Sequence, residues 1–232
     1  MASWFRRRRQ GPGLSAQPDG FRLPASLNLP DDVEPELRDL LWNEVLLGRT
    51  DPDDMLDLLQ DELDAWGIDD SRADQAAQAV VRARSEQQAH WPAGASVSNL
   101  SAAFRDLADI GVVARDHFSC CGACASTEIR DEGDNSRIWR GYVYFHQQDT
   151  AMLLEDRSTY IGYGVFLNAW MSQSDWAVLS DKQKDERYTE LVTALLTDEI
   201  FPLLRGHGIS VTWNGDLGTR VLLENADYFV PV

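Results

Sequence analysis

At 232 residues, 44% of them apolar and 25% charged, the chain is long enough to bury a core and has the composition of a globular protein. Its 38 acidic against 21 basic residues leave a formal net charge of −17, a surface that repels phosphate backbones and excludes nucleic acid as a partner. No run approaches the roughly 18 apolar residues of a membrane span, and three cysteines, two of them adjacent, form no disulfide framework and point to a reducing, cytoplasmic setting.

Residues 1–30 are rich in Gly, Pro, Ser and Arg without periodicity, which predicts a disordered tail. Trp4 and Phe5 precede Arg6–Arg9, but no apolar stretch follows, so the start reads neither as a secretory signal nor as a stable membrane anchor. A helical region is expected over 31–95. Val33, Leu37, Leu40, Leu41 and Val45 recur at helical spacing up to Gly48. Thr50-Asp51-Pro52, a capping side chain followed by proline, starts a second helix with Met55, Leu59, Leu63 and Trp66 on one face until Gly67. A third, alanine-rich helix covers 70–88 with Ala73, Ala77, Val80 and Val81 inward, and Trp91-Pro92 ends that run.

The period changes in residues 96–232. Leu100, Phe104, Leu107 and Ile110 mark a helix behind Ser98-Asn99, closed by Gly111. Residues 112–118 read as a strand. In the next, Tyr142, Tyr144 and His146 alternate with Val143 and Phe145, placing His146 on the tyrosine face. Asp149 then caps a short helix through Met152 and Leu154. Residues 160–166 form a further strand, whose Gly162 and Gly164 share a face and permit a bulge or the close approach of another backbone. A long helix over 181–205 carries Leu191, Leu195 and Ile200, with Pro202 kinking or fraying its last turn. Residues 209–213 and 220–223 flank Asn214-Gly215-Asp216 as a terminal hairpin. Strands and helices are mixed rather than alternating, so the fold class is α+β. The expectation is a helical N-terminal region, then a mixed, mainly antiparallel sheet with helices packed on one side, in a monomer or weak dimer.

The chemistry-bearing residues concentrate in the second half. Cys120, Cys121 and Cys124 lie within five positions. Cys121-x-x-Cys124 has zinc-knuckle spacing, and His117-x-x-Cys120 precedes it. His146 reaches the same place if its strand lies beside the one ending at Phe118. Such a site takes zinc or another soft metal, although no second Cys-x-x-Cys supplies the separated pair of a closed structural site. Cys-Gly-Ala-Cys between a strand and a helix start also resembles a thioredoxin-type dithiol, in which exposed N–H groups favour a thiolate. The tryptophan before that motif and the later strand-start proline are absent. A cysteine nucleophile with His146 as base, oriented by Asp149 or Asp116, is the hydrolytic version. The plainest reading packs the cysteines as small apolar residues and leaves His146, Gln147 and Gln148 hydrogen-bonded between strand and helix. His90 and His207 fall at helix C-termini, where a cation suits the dipole.

Three stretches carry a family resemblance. They are Ala103-Phe-Arg-Asp-Leu107 leading into Gly111-Val-Val-Ala-Arg-Asp-His-Phe-Ser-Cys-Cys-Gly-Ala-Cys124, then Gly141-Tyr-Val-Tyr-Phe-His-Gln-Gln-Asp-Thr150, and Gly208-Ile-Ser-Val-Thr-Trp-Asn-Gly-Asp216. Over residues 35–225 the chain resembles an actinobacterial family of unknown function. The arginine-rich start and the Tyr228-Phe229 ending depart from its pattern. The family carries no established activity, so the resemblance implies no mechanism. No triad, phosphate loop or cofactor fingerprint appears in the chain. The expected function is therefore a non-enzymatic binding or regulatory protein with a structural Cys/His cluster, its acidic surface suited to a basic protein partner. The alternative is a thiol-dependent redox or hydrolytic enzyme using Cys121, Cys124 and His146.

Overall fold

The structure is a computed structural model that describes residues 14–92 and 95–232; Trp4, Phe5 and Arg6–Arg9 lie outside the described residues. The chain divides into two compact units, one running to Ser98 and including Phe229–Val232, the other Asn99–Tyr228.

In the first unit residues 14–30, expected as part of a disordered tail, are held against the helices. Leu23 and Leu27 are buried, and Ala25–Leu27 make a 3-10 turn. Trp42 Nε1 donates to Ser15 O at 2.8 Å and Gln87 Nε2 to Ala16 O at 2.7 Å. A few apolar side chains in a polar stretch suffice to hold it, since each buried leucine contributes about 2 kcal/mol. Helix α1 (Val33–Leu46) buries Val33, Leu37, Leu41 and Val45. The single helix expected next is two: α2 (Pro52–Leu58), capped by Asp51, and α3 (Gln60–Trp66), ended by Gly67 in the left-handed region. A continuous helix would stack Asp53, Asp57, Asp61 and Asp64 along one side, and such like-charge pairs are unfavourable. The break at Leu59 separates Asp57 from Asp61, while Met55, Leu59 and Leu63 all stay buried. In α4 (Asp70–Ala89) the inward stripe runs through Ala73, Ala77 and Val80 to Arg84, which is fully buried.

The second unit opens with α5 (Asn99–Asp109), followed by β1 (Val112–Arg115), α6 (Gly122–Glu128), β2 (Gly141–Tyr144), α7 (Gln147–Asp156) and β3 (Ser158–Val165). After α8 (Gln173–Ala177), one long helix is built of α9 (Asp181–Ala194), a π segment (Leu195–Ile200) and α10 (Phe201–Gly206). Pro202 does not fray its end, since α10 runs on to Gly206. The wider π turns just before it absorb the missing N–H and the clash that its ring would make one turn back. Strands β4 (Ser210–Thr212) and β5 (Val221–Glu224) pair antiparallel as the expected terminal hairpin. Its loop is longer than a two-residue turn, with Gly215 at φ +83°.

The five strands run in the order β1-β2-β3-β5-β4, with β1 parallel to β2 and the other pairs antiparallel. The architecture is α+β, as the sequence predicts. One sheet face carries Val112, Val143, Ile161, Val165, Val221 and Leu223, all buried, and Gly141 on this face leaves room for the Leu195 side chain. On the other face Val113 and Tyr144 pack with Ala125 of α6 and with Ile129. Helical segments therefore cover both faces, not one, because β1 buries its side chains on both. No helix among the described residues is long and apolar enough to cross a membrane.

Gly162 and Gly164 admit neither a bulge nor a neighbouring backbone. They pair with Tyr144 and Tyr142, whose rings lie across the strand and occupy the space a Cβ would take. A methyl group at either position would displace a ring that is packed in the sheet. Gly162→Ala and Gly164→Ala are each expected to cost about 1–3 kcal/mol, measured as a lower urea midpoint at unchanged slope.

Candidate thiol site

The expected strand over 112–118 ends at Arg115, because the next residues turn away. His117 (φ 45°) and Ser119 (φ 60°) both adopt the left-handed region, a cost of about 1 kcal/mol or more each for residues with a Cβ. Neighbouring backbone and side chains over-determine this turn. Phe118 N donates to Phe145 O at 2.9 Å, Gln147 N to Ser119 O at 3.1 Å, and His117 Nδ1 meets Thr150 Oγ1 at 2.8 Å. The loop is thereby tied along residues 145–150, and it delivers Cys121 in extended conformation to the N-cap of α6. Tyr144 OH meets Ser126 Oγ at 2.8 Å, and Ser126 Oγ donates to Gly122 O at 2.7 Å, anchoring the first turn of that helix to the sheet.

Together these contacts bring the Sγ atoms of Cys120, Cys121 and Cys124 all within 4.8 Å of one another, and all three thiols are free. Cys120 is exposed while Cys121 and Cys124 are half-buried, so the cysteines are not apolar packing residues. Their environments differ. The N–H groups of Cys124 and Ala123 face the Cys121 sulfur, joined by the neighbouring thiols, and hold this thiol below its usual range. Cys124 is the reverse case: hydrogen bonds and charge from Cys120 and Cys121 push it up to about 11. Because the thiolate is the reactive form, Cys121 gains it at a pH where Cys124 is still protonated. Alkylation of metal-free protein near neutral pH is expected at Cys121 before Cys124, measured by peptide mass mapping across a pH series. Equal rates at the two positions would refute this ordering.

The histidines stand beside this cluster without entering it; the group of mutually close ligand atoms contains neither His117 nor His146. His146 does not sit on the tyrosine face of a strand, since β2 stops at Tyr144 and His146 is the N-cap of α7. Its ring lies beside the cysteine loop with room for a methyl at Gly122, which would sit 3.6 Å from His146 Cδ2 and 3.7 Å from Nε2. Asp149 is consequently inside the first turn of α7 rather than its cap. Its carboxylate lies 3.1 Å from His146 Nε2 and accepts from both terminal nitrogens of Arg220. Arg220 also donates to Tyr160 O. Sequence reasoning did not find Arg220, which is 71 residues away from its partner and has no local signal. Of the expected triad of cysteine, His146 and Asp149, the structure brings His146 and Asp149 together. Asp116 lies instead by the Tyr228 hydroxyl. His90 and His207 do cap α4 and α10, with His207 Nε2 at 2.8 Å from Asp106 Oδ2.

Fold and site define an α+β protein that presents three clustered, solvent-accessible thiols on a tied surface loop. The chain belongs to the family described as domain of unknown function DUF6891, whose model matches residues 30–229. No curated protein and no solved structure matches it.

Proposed function

We propose that this is a non-enzymatic regulatory protein whose reduced cysteine loop binds one thiophilic cation, with zinc as the physiological ion. The observation that carries the reading is the convergence of three Sγ atoms within 4.8 Å on a loop held in left-handed backbone. Three thiolates at bonding distance from one soft ion need that proximity, and thiolate ligands select zinc or monovalent copper over harder metals. Among the described residues the group of mutually close ligand atoms is the three sulfurs alone, so zinc here would take its fourth ligand from water or an incoming group, an open site rather than a closed structural one. Three free thiols on the surface suit a reducing, cytoplasmic setting.

The test is anaerobic titration of reduced full-length protein with zinc against a competing chelator. One ion per chain is expected. Cys120→Ser, Cys121→Ser and Cys124→Ser should each weaken binding by more than the roughly 10–100-fold that loss of an outer-shell partner brings. Affinity no better than that of the triple serine variant would end the metal reading.

A further inference from the structure

We infer that the incoming group at the zinc site is a thiolate of a second copy of this chain. Two chains meet at their cysteine loops and hold two zinc ions between them, with the Cys120 sulfur of each chain bridging the pair. The inference rests on the zinc reading and adds to it the partner that fills the fourth position.

Counting bonds leads there. Zinc takes four ligands in tetrahedral geometry with Zn–S bonds of about 2.3 Å, which sets neighbouring sulfurs about 3.8 Å apart. Three sulfurs within 4.8 Å of one another fill three corners around one ion and leave one open. Among the described residues no histidine or carboxylate joins the group. In a symmetric pair of chains the shortage cancels. A thiolate has lone pairs for two metal ions, so two bridging sulfurs and four terminal ones give each of two ions its four bonds without water. A twofold axis, the commonest symmetry of soluble oligomers, lets each chain supply what the other lacks. The thiol protons pass to solvent as the sulfurs bind, and no electron moves.

Exposure selects the bridging atom. Cys120 is exposed whereas Cys121 and Cys124 are half-buried, so Cys120 is the sulfur that faces a second chain while its two neighbours keep their own ion. The surroundings suit close approach. Residues 118–127 contain no charged side chain, although the whole chain carries a formal net charge of −17. Ala123 and Thr127 are exposed on one side of the thiols, and the exposed Gln147 and Gln148 border the loop on the other, where Gln147 N donates to Ser119 O at 3.1 Å. More distant charges on the two copies are screened beyond about 10 Å at 0.1 M salt. The repulsion that decides whether the copies meet is therefore that of the contact itself, and the contact is small and uncharged. The bonds from Phe118 to Phe145 and from His117 to Thr150 hold the loop in place before any metal arrives, which lowers the ordering cost of association.

The experiment titrates full-length protein with zinc, anaerobically and in a phosphine reductant that brings no competing thiol, and follows mass by sedimentation velocity and native mass spectrometry. Protein held with a chelator should be a monomer, and one equivalent of zinc should give a dimer containing two ions, reversed by chelation. With cobalt in place of zinc, two ions that share sulfurs couple magnetically, so the paramagnetic resonance signal per cobalt should fall as the site fills. Cys120→Ser should form no two-ion dimer. Ala123→Arg keeps all three thiols, adds no zinc ligand and sets a long side chain across the contact. It should bind one zinc per chain, with dimerisation weakened by about tenfold or more. One zinc per chain in a wild-type monomer, or a dimer whose cobalt signal does not fall, would overturn the inference and leave the zinc reading standing. A dimer that survives chelation, or that Ala123→Arg forms as readily as wild type, would place the contact elsewhere and overturn it as well. Failure to bind zinc at all would remove both.

Discussion

Replacing Arg84 with alanine is expected to lower the unfolding free energy of the first unit by about 3–5 kcal/mol. Arg84 has no accessible surface, and among the described residues no carboxylate pairs with it. Its guanidinium carbon lies 4.6 Å from the Trp91 ring centre, 5.1 Å from Phe229 and 5.7 Å from Trp42. Nη1 donates to Leu14 O and to Gln87 Oε1, both at 2.6 Å, so one side chain ties the residues after 13 and the C-terminal Phe229 to α4. Burial pulls the guanidinium down to about 10, yet it stays a cation at neutral pH and is held by ring faces rather than by an anion. Alanine would leave a cavity walled by three aromatic rings. Methionine is the informative contrast. It refills most of the volume and removes Nε and Nη2, two buried donors with no partner, each of which costs about 1–3 kcal/mol. Arg84→Met should therefore lose less than about 1.5 kcal/mol. Urea unfolding followed by tryptophan fluorescence measures both. If methionine proves as damaging as alanine, the hydrogen bonds and the charge hold the cage, and its volume does not.

Arg84 also shows how much of this protein could be read in advance. The stripe Ala73, Ala77, Val80 in the alanine-rich helix points at position 84 by helical spacing, so the signal for an inward arginine was present. What the spacing does not carry is the cage, because Trp42, Trp91 and Phe229 are far apart in sequence. The same division holds elsewhere. The apolar stripes of α1 and α5 and the cap of α2 are local properties and were legible. The break at Leu59 was not, since the buried stripe through Met55, Leu59 and Leu63 is continuous and only the acids beside it oppose a single helix. At the site, three thiols within five residues had to be near one another. Where the histidines turn depended on Thr150 and Asp149, and so on a loop whose course is set by the left-handed backbone at His117 and Ser119. Alternation carried the β2 pattern two residues too far, because Phe145 keeps backbone bonds to Arg115 and Phe118 and His146 stays extended as the N-cap of α7.

Asp149→Ala is expected to be the most damaging substitution near the thiols, at about 3 kcal/mol of stability. The carboxylate and the His146 imidazole are 10% and 8% exposed, whereas Arg220 is 39% exposed and solvated in part, which keeps the cost at the lower end of what breaking a buried ion pair brings. Alanine leaves the imidazole with no partner at either nitrogen, since Nδ1 is buried and has none already. Arg220→Ala should cost less, because His146 then keeps its carboxylate. The double variant should lose less than the sum, the coupling measuring what the Arg220–Asp149 pair contributes. The consequence reaches the cysteines through packing. The His146 ring stands beside Gly122, near enough that a methyl added there would touch it, and Gly122 follows Cys121 directly. Once the ring is released, the loop beside it is less firmly held, and the rates of alkylation at Cys121 and Cys124 should converge. Asp149→Asn, which keeps the shape and one acceptor oxygen, should preserve more of the difference. An Asp149→Ala protein that is folded and still alkylates Cys121 ahead of Cys124 by the wild-type margin would mean that the loop is held by Thr150 and the backbone pairs of residues 118 and 147, with His146 only a neighbour.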